Sequence, residues 1–202
     1  MTRRISGLIL VLAVAVAVFT AAACGPAAVA GSVGPLAALT VGGQPYVALS
    51  ATVVIPGESA DAEAYVVNSA PGGQVQVTGV APVTVPGVAV GRIVHTGIQA
   101  SGVSVAAMRD WPPVAVRSFV GAWLPAGRSG IVFAIAGQQP GHNYAVAGLR
   151  VEYTYAGRSY SVLAWGGSVA CIAVTVTADV PSCEPFQHNV NDAVEKMAGI
   201  SG

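Results

Sequence analysis

Charge is what this chain has least of. Only 9% of its 202 residues are Asp, Glu, Lys or Arg, with nine basic and nine acidic side chains in balance. Two of the cations, Arg3 and Arg4, stand at the N-terminus, and the others, Arg92 through Lys196, are scattered singly. Nucleic-acid binding needs clustered Lys and Arg to displace counterions from phosphates, so that class of partner is excluded. Cysteine is equally scarce, at three, and no two lie close in sequence, which excludes a zinc site built from four cysteines. Histidine also numbers three. His95, His142 and His188 stand on different segments with no H-x-H or H-x3-H pair, so the residues point to no metal and no cofactor.

Catalytic patterns are missing as well. No G-x-S-x-G places a serine on a nucleophile elbow. Glu58, Asp61 and Glu63 crowd one polar stretch that reads as a solvated turn rather than as a carboxylate pair for glycoside cleavage. The sequence therefore gives no catalytic residue.

What is present begins at the N-terminus. Arg3 and Arg4 precede an apolar run from Leu8 to Phe19, followed by Thr20-Ala21-Ala22-Ala23-Cys24-Gly25. Basic end, greasy segment and small residues in that order form an export signal. The run is at the short limit for crossing a hydrocarbon core of ~30 Å, which favours a cleaved signal over a permanent span. Two other outcomes remain open: cleavage after Ala28-Val29-Ala30, leaving Gly31 first, or an uncleaved N-terminal anchor.

The residues Ala22, Ala23, Cys24 and Gly25 resemble the lipobox of bacterial lipoproteins, with Ala21 departing from the usual Leu. The resemblance implies a signal peptide over residues 1–23, lipidation of Cys24, and a chain held by that lipid on the outer face of the cell membrane; plain secretion is the alternative. With Cys24 acylated, Cys171 and Cys183 are left as an even pair in an oxidising compartment, where a disulfide is expected.

Residues 24–45 are rich in Ala, Gly and Pro and carry no charge, which reads as a flexible tether. The alternative is a partly ordered first strand over Leu36 to Val41. Residues 46–202 then form one domain of short strands. Val47 to Ile55, Gln74 to Val80, Val88 to Thr96, Val114 to Leu124, Gly130 to Ala136 and Ala145 to Tyr155 are apolar or alternating runs separated by turn residues. Leu149 to Tyr155 meets Arg158 to Trp165 across Ala156-Gly157, a two-residue hairpin signature, and Val169 to Thr177 follows as a last strand. A short C-terminal helix is expected from Asn189 or Asn191 through Lys196, stopped by Gly199. The pattern predicts an all-β antiparallel sandwich.

Gly121-Ala122, Leu124-Pro125-Ala126-Gly127, Ile131-Val132-Phe133, Gly148 to Tyr153 and Gly157-Arg158-Ser159-Tyr160 resemble uncharacterised secreted proteins of actinobacteria that carry an immunoglobulin-like domain. The resemblance covers Val47 to Cys171 and implies an immunoglobulin-like β-sandwich and an extracytoplasmic address, with no reaction attached.

One segment points to a partner. Arg109-Asp110-Trp111-Pro112-Pro113 sets an aromatic anchor beside an arginine in a stiff loop, so Arg109 and Trp111 are the candidate partner contacts. Trp123 and Trp165 lie in strand-like runs and read as core. The expected function is a non-enzymatic interaction module of the envelope, with an envelope protein or glycan as partner. A secreted hydrolase and a small-molecule or metal-binding lipoprotein are the competing readings.

Overall fold

The computed structural model describes residues 34–47, 49–55, 58–90, 92–98, 117–136, 141–172 and 183–200. The first strands in chain order are β1 Leu36–Ala38, β2 Thr40–Val41, β3 Gln44–Pro45, β4 Leu49–Val54, β5 Ser59–Asn68 and β6 Val75–Val83. They are followed by β7 Arg92–Ile98, β8 Arg117–Ser118, β9 Trp123–Leu124, β10 Gly127–Ala136, β11 Asn143–Tyr155, β12 Arg158–Ile172 and the helix α1 Cys183–Met197. One five-stranded sheet runs β1-β5-β10-β7-β8 and a second runs β4-β12-β11-β6-β9, with β2 and β3 paired apart from both. The protein is thus all-β with one C-terminal helix. Strand neighbours are antiparallel except β4, which runs parallel to β12 from Leu49 opposite Gly167 to Val54 opposite Ile172.

Period-two alternation builds the space between the sheets. Ala60, Ala62, Ala64 and Val66 project from β5 into one buried cluster with Val75, Val77, Leu149, Val151 and Tyr153. Alanine on one side lets the other sheet approach closely. The approach is tightest at Gly166, where a Cβ would overlap the Glu63 carbonyl oxygen. This contact corrects the expected division between a hairpin strand and a separate last strand. Gly166-Gly167 does not end the strand; it lets a continuous β12 pass over β5.

The hairpin itself forms as expected, with Tyr155 opposite Arg158 and a turn at Ala156 (φ 48°) and Gly157 (φ 73°). Leu36–Ala38 lies within the stretch read as a tether, yet it pairs with Ala38 opposite Val66. The Leu36 N–H donates to the Tyr153 hydroxyl at 3.3 Å, which ties this strand to the opposite sheet.

The helix is longer than expected and starts at Cys183 rather than near Asn189. Pro185 sits in its first turn, where a missing N–H costs nothing. Val190 and Val194, one turn apart, seal a second apolar cluster with Ala145, Ala147, Trp165 and Val169 on the outer face of the second sheet. The helix ends as expected: the Ile200 N–H donates to the Glu195 carbonyl at 2.9 Å across Gly199. Cys171 and Cys183 form a disulfide with Cα atoms 5.8 Å apart, fastening the helix start to β12.

Candidate functional site

Cys24, Arg109 and Trp111 lie outside the described residues. No helix among the described residues is long and apolar enough to cross a membrane. His142 is exposed at the start of β11, and His188 is exposed on α1 with Nδ1 2.9 Å from the Glu184 carbonyl oxygen. His95 stands in β7 at the register position opposite Ala134. Among the described residues no group of three His, Cys, Asp or Glu is placed to hold a metal ion.

The acidic stretch departs from its reading as a solvated turn. Ser59–Asn68 is an interior strand of a sheet, paired on both sides, and Asp61 is 2% exposed. Neither of its carboxylate oxygens meets a hydrogen-bond partner of good geometry among the described residues. Burial therefore pushes its pKa up to about 7, while the Ser59 hydroxyl nearby pulls the other way. Four residues on, Tyr65 donates a hydrogen bond to Glu63, the Arg128 guanidinium lies 5.0 Å from the Tyr65 ring centroid, and Tyr46 meets that ring edge-on. Burial, with Glu63 adding to it, raises the Tyr65 hydroxyl to about 12. Within this cluster the Tyr65 hydroxyl and the Glu63 carboxylate are partners of one another.

An open constellation lies where Val114 to Leu124 is expected from the sequence to form one strand. The chain instead crosses from one sheet to the other: β8 closes the edge of the first sheet beside β7, and β9 closes the edge of the second beside β6. Phe119, fully buried, anchors the crossing, and its N–H donates to the Thr96 carbonyl at 3.3 Å. The Ala122 N–H returns to the Phe119 carbonyl at 3.1 Å, while Gly121 N–H and Ala122 carbonyl bond the two backbone groups of Val77. A groove of about 460 Å³ results, lined by Ile98, Arg117, Ser118, Val120, Gly121, Ala122 and Trp123.

Trp123 is 55% exposed there, contrary to its reading as core. Alternation explains the difference: Leu124 takes the inward position at 0% exposure, so its neighbour must face out. Arg117 is exposed and, among the described residues, is the only charged side chain lining the groove. The sequence reading looked for an aromatic next to an arginine and found Arg109 and Trp111. It passed over Arg117 and Trp123 because they are six residues apart and become neighbours only through the crossing. Gly121 and Pro125, which interrupt the apolar run on either side of Trp123, were the available signal.

A second groove of about 450 Å³ lies between the end of α1 and the outer face of the second sheet, bounded by Val83, Arg150, Leu163, Trp165 and Met197. Trp165 is 9% exposed and packs under the helix, as its strand position predicted.

The sequence matches no known family model and no curated protein.

Proposed function

We propose that this chain is an exported, lipid-anchored envelope protein whose sandwich acts as a non-enzymatic interaction module, with the Arg117–Trp123 groove as its partner surface. The observation that carries the reading is the half-exposed indole of Trp123 beside an arginine with no ion pair among the described residues. Aromatic and arginine side chains dominate binding energy where proteins meet partners. The export signal and lipobox resemblance supply the address, and the Cys171–Cys183 disulfide suits an oxidising compartment.

The fold belongs in the same proposal. The order β1-β5-β10-β7 opposite β6-β11-β12 follows the A-B-E-D and C-F-G sheets of an immunoglobulin-like sandwich, with β4 added beside the last strand. The crossing that creates the groove is then an insertion between the D and E strands. The second groove favours the alternative of a small-molecule carrier, since it sets the apolar side chains of Leu163, Trp165 and Met197 beside the polar ones of Thr84 and Arg150.

Two measurements test the reading. Intact-mass analysis of the membrane fraction is expected to give a diacylglyceryl chain starting at Cys24 and two hydrogens short at Cys171 and Cys183. A Cys24→Ser form, released from its anchor, is expected to bind purified envelopes saturably, and adding Trp123→Ala should abolish that binding. Equal retention of both forms overturns the role of the groove.

A further inference from the structure

We propose that the Arg117–Trp123 groove takes the carboxylated sugar rings of an acidic polysaccharide. This inference rests on the groove being the partner surface and names the chemistry that it reads.

Three side chains of the groove, Arg117, Ser118 and Trp123, supply the chemistry. Trp123 is 55% exposed and lines the groove with Gly121 and Ala122, and an indole offers a flat apolar face of the kind that stacks on the C–H face of a pyranose ring. Arg117 has no hydrogen bond, ion pair or ring contact among the described residues, and its donor fork matches a carboxylate in bidentate geometry. Among the described residues no acidic side chain lines the groove. Ser118 Oγ donates to the Val120 carbonyl at 3.1 Å, which leaves its lone pairs to accept from a sugar hydroxyl.

The backbone argues against a peptide. Recognition of an extended peptide by strand addition needs a run of unpaired N–H and C=O groups. Along the crossing these are committed: Phe119 N–H to Thr96, Phe119 carbonyl to Ala122, Val120 carbonyl to Ser118, and Gly121 N–H and Ala122 carbonyl to Val77. Pro125, just past β9, has no N–H at all. Recognition therefore falls to side chains, and an indole face, a guanidinium and a hydroxyl acceptor together match an acidic sugar.

The test uses the full chain, exported and purified, with oligogalacturonate as the probe and the neutral oligomer made by reducing its carboxyls as the control. The indole N–H signal of Trp123, assigned with Trp123→Phe, is expected to shift saturably with oligogalacturonate. Arg117→Gln, an exposed position, should weaken that binding about tenfold, and the neutral oligomer should bind both forms with the same reduced affinity. Equal binding of the charged and neutral oligomers overturns the inference, as does an oligoglutamate peptide that moves the same signal as strongly. If Trp123→Ala abolishes envelope retention while oligogalacturonate moves nothing, the sugar inference fails and the interaction module stands. If retention ignores Trp123, both fall.

Discussion

Gly166 runs so close to Glu63 that no side chain fits between them: a Cβ at 166 would overlap the Glu63 carbonyl oxygen and crowd the Ala64 Cα. The obstacle is backbone in an interior strand of the other sheet, which cannot swing aside as a side-chain end can. Gly166→Ala is therefore expected to cost about 3 kcal/mol or to prevent folding. Urea unfolding followed by circular dichroism checks this, and a midpoint within error of the parent would refute the close approach.

Asn68 is the polar hub where β5 ends. Its Nδ2 donates to the carbonyls of Leu124 at 2.9 Å and Pro125 at 3.1 Å, and its Oδ1 accepts from Ala70 N–H at 2.9 Å. Asn68→Ala leaves buried groups unsatisfied and should cost about 2–3 kcal/mol. Asn68→Asp keeps the acceptor but sets a carboxylate against two carbonyl oxygens, so it should destabilise at least as much. An Asp variant as stable as the parent would show that the donated bonds carry little.

Ala156 holds φ at 48°, the only described residue other than glycine with a positive φ. Asparagine tolerates that region better, and Asn-Gly is the favoured pair in a two-residue hairpin turn of this geometry. Ala156→Asn is expected to stabilise the protein by about 0.5 kcal/mol, read as a rise in melting temperature. A fall would mean that the turn conformation differs from the one described.

Asp61 gives the pH dependence its sign. Its pKa rises from 3.8 in the open chain to about 7 in the fold, so between those values the native state holds a proton that the unfolded state has released. Its contribution is fully present below the unfolded value and is lost as pH rises through the folded one. Asp61→Asn, which keeps the shape without the charge, should raise the melting temperature at neutral pH and flatten its decline between about pH 4 and pH 8. Parallel curves for the two proteins would exclude Asp61 as the source.

Local signals survived into the structure where they were self-sufficient. Ala156-Gly157 defined its hairpin from two residues, and Gly199 stopped the helix through its own backbone bonds. The pairing of Cys171 with Cys183 followed from having two cysteines left after Cys24. Features that depend on distant chain were hidden. Asp61 looks like a turn acid because Glu58 and Glu63 surround it, and only pairing with β10 makes it a buried strand residue. Gly166-Gly167 reads as a break until β5 is known to pass beneath it. Trp123 reads as core because its run is apolar, and the switch of sheets at Phe119 is what turns it outward.

The parallel strand β4 is short, but its position has a price for any copy that loses it. It covers the flank of β12 from Gly167 to Ile172, a stretch that is buried throughout. Stripped of that cover, the amides and carbonyls of a long apolar ribbon would stand open, the kind of margin along which one molecule stitches itself to the next. The six residues from Leu49 to Val54 thus act as a selvedge, keeping the sheet from being woven into its neighbour.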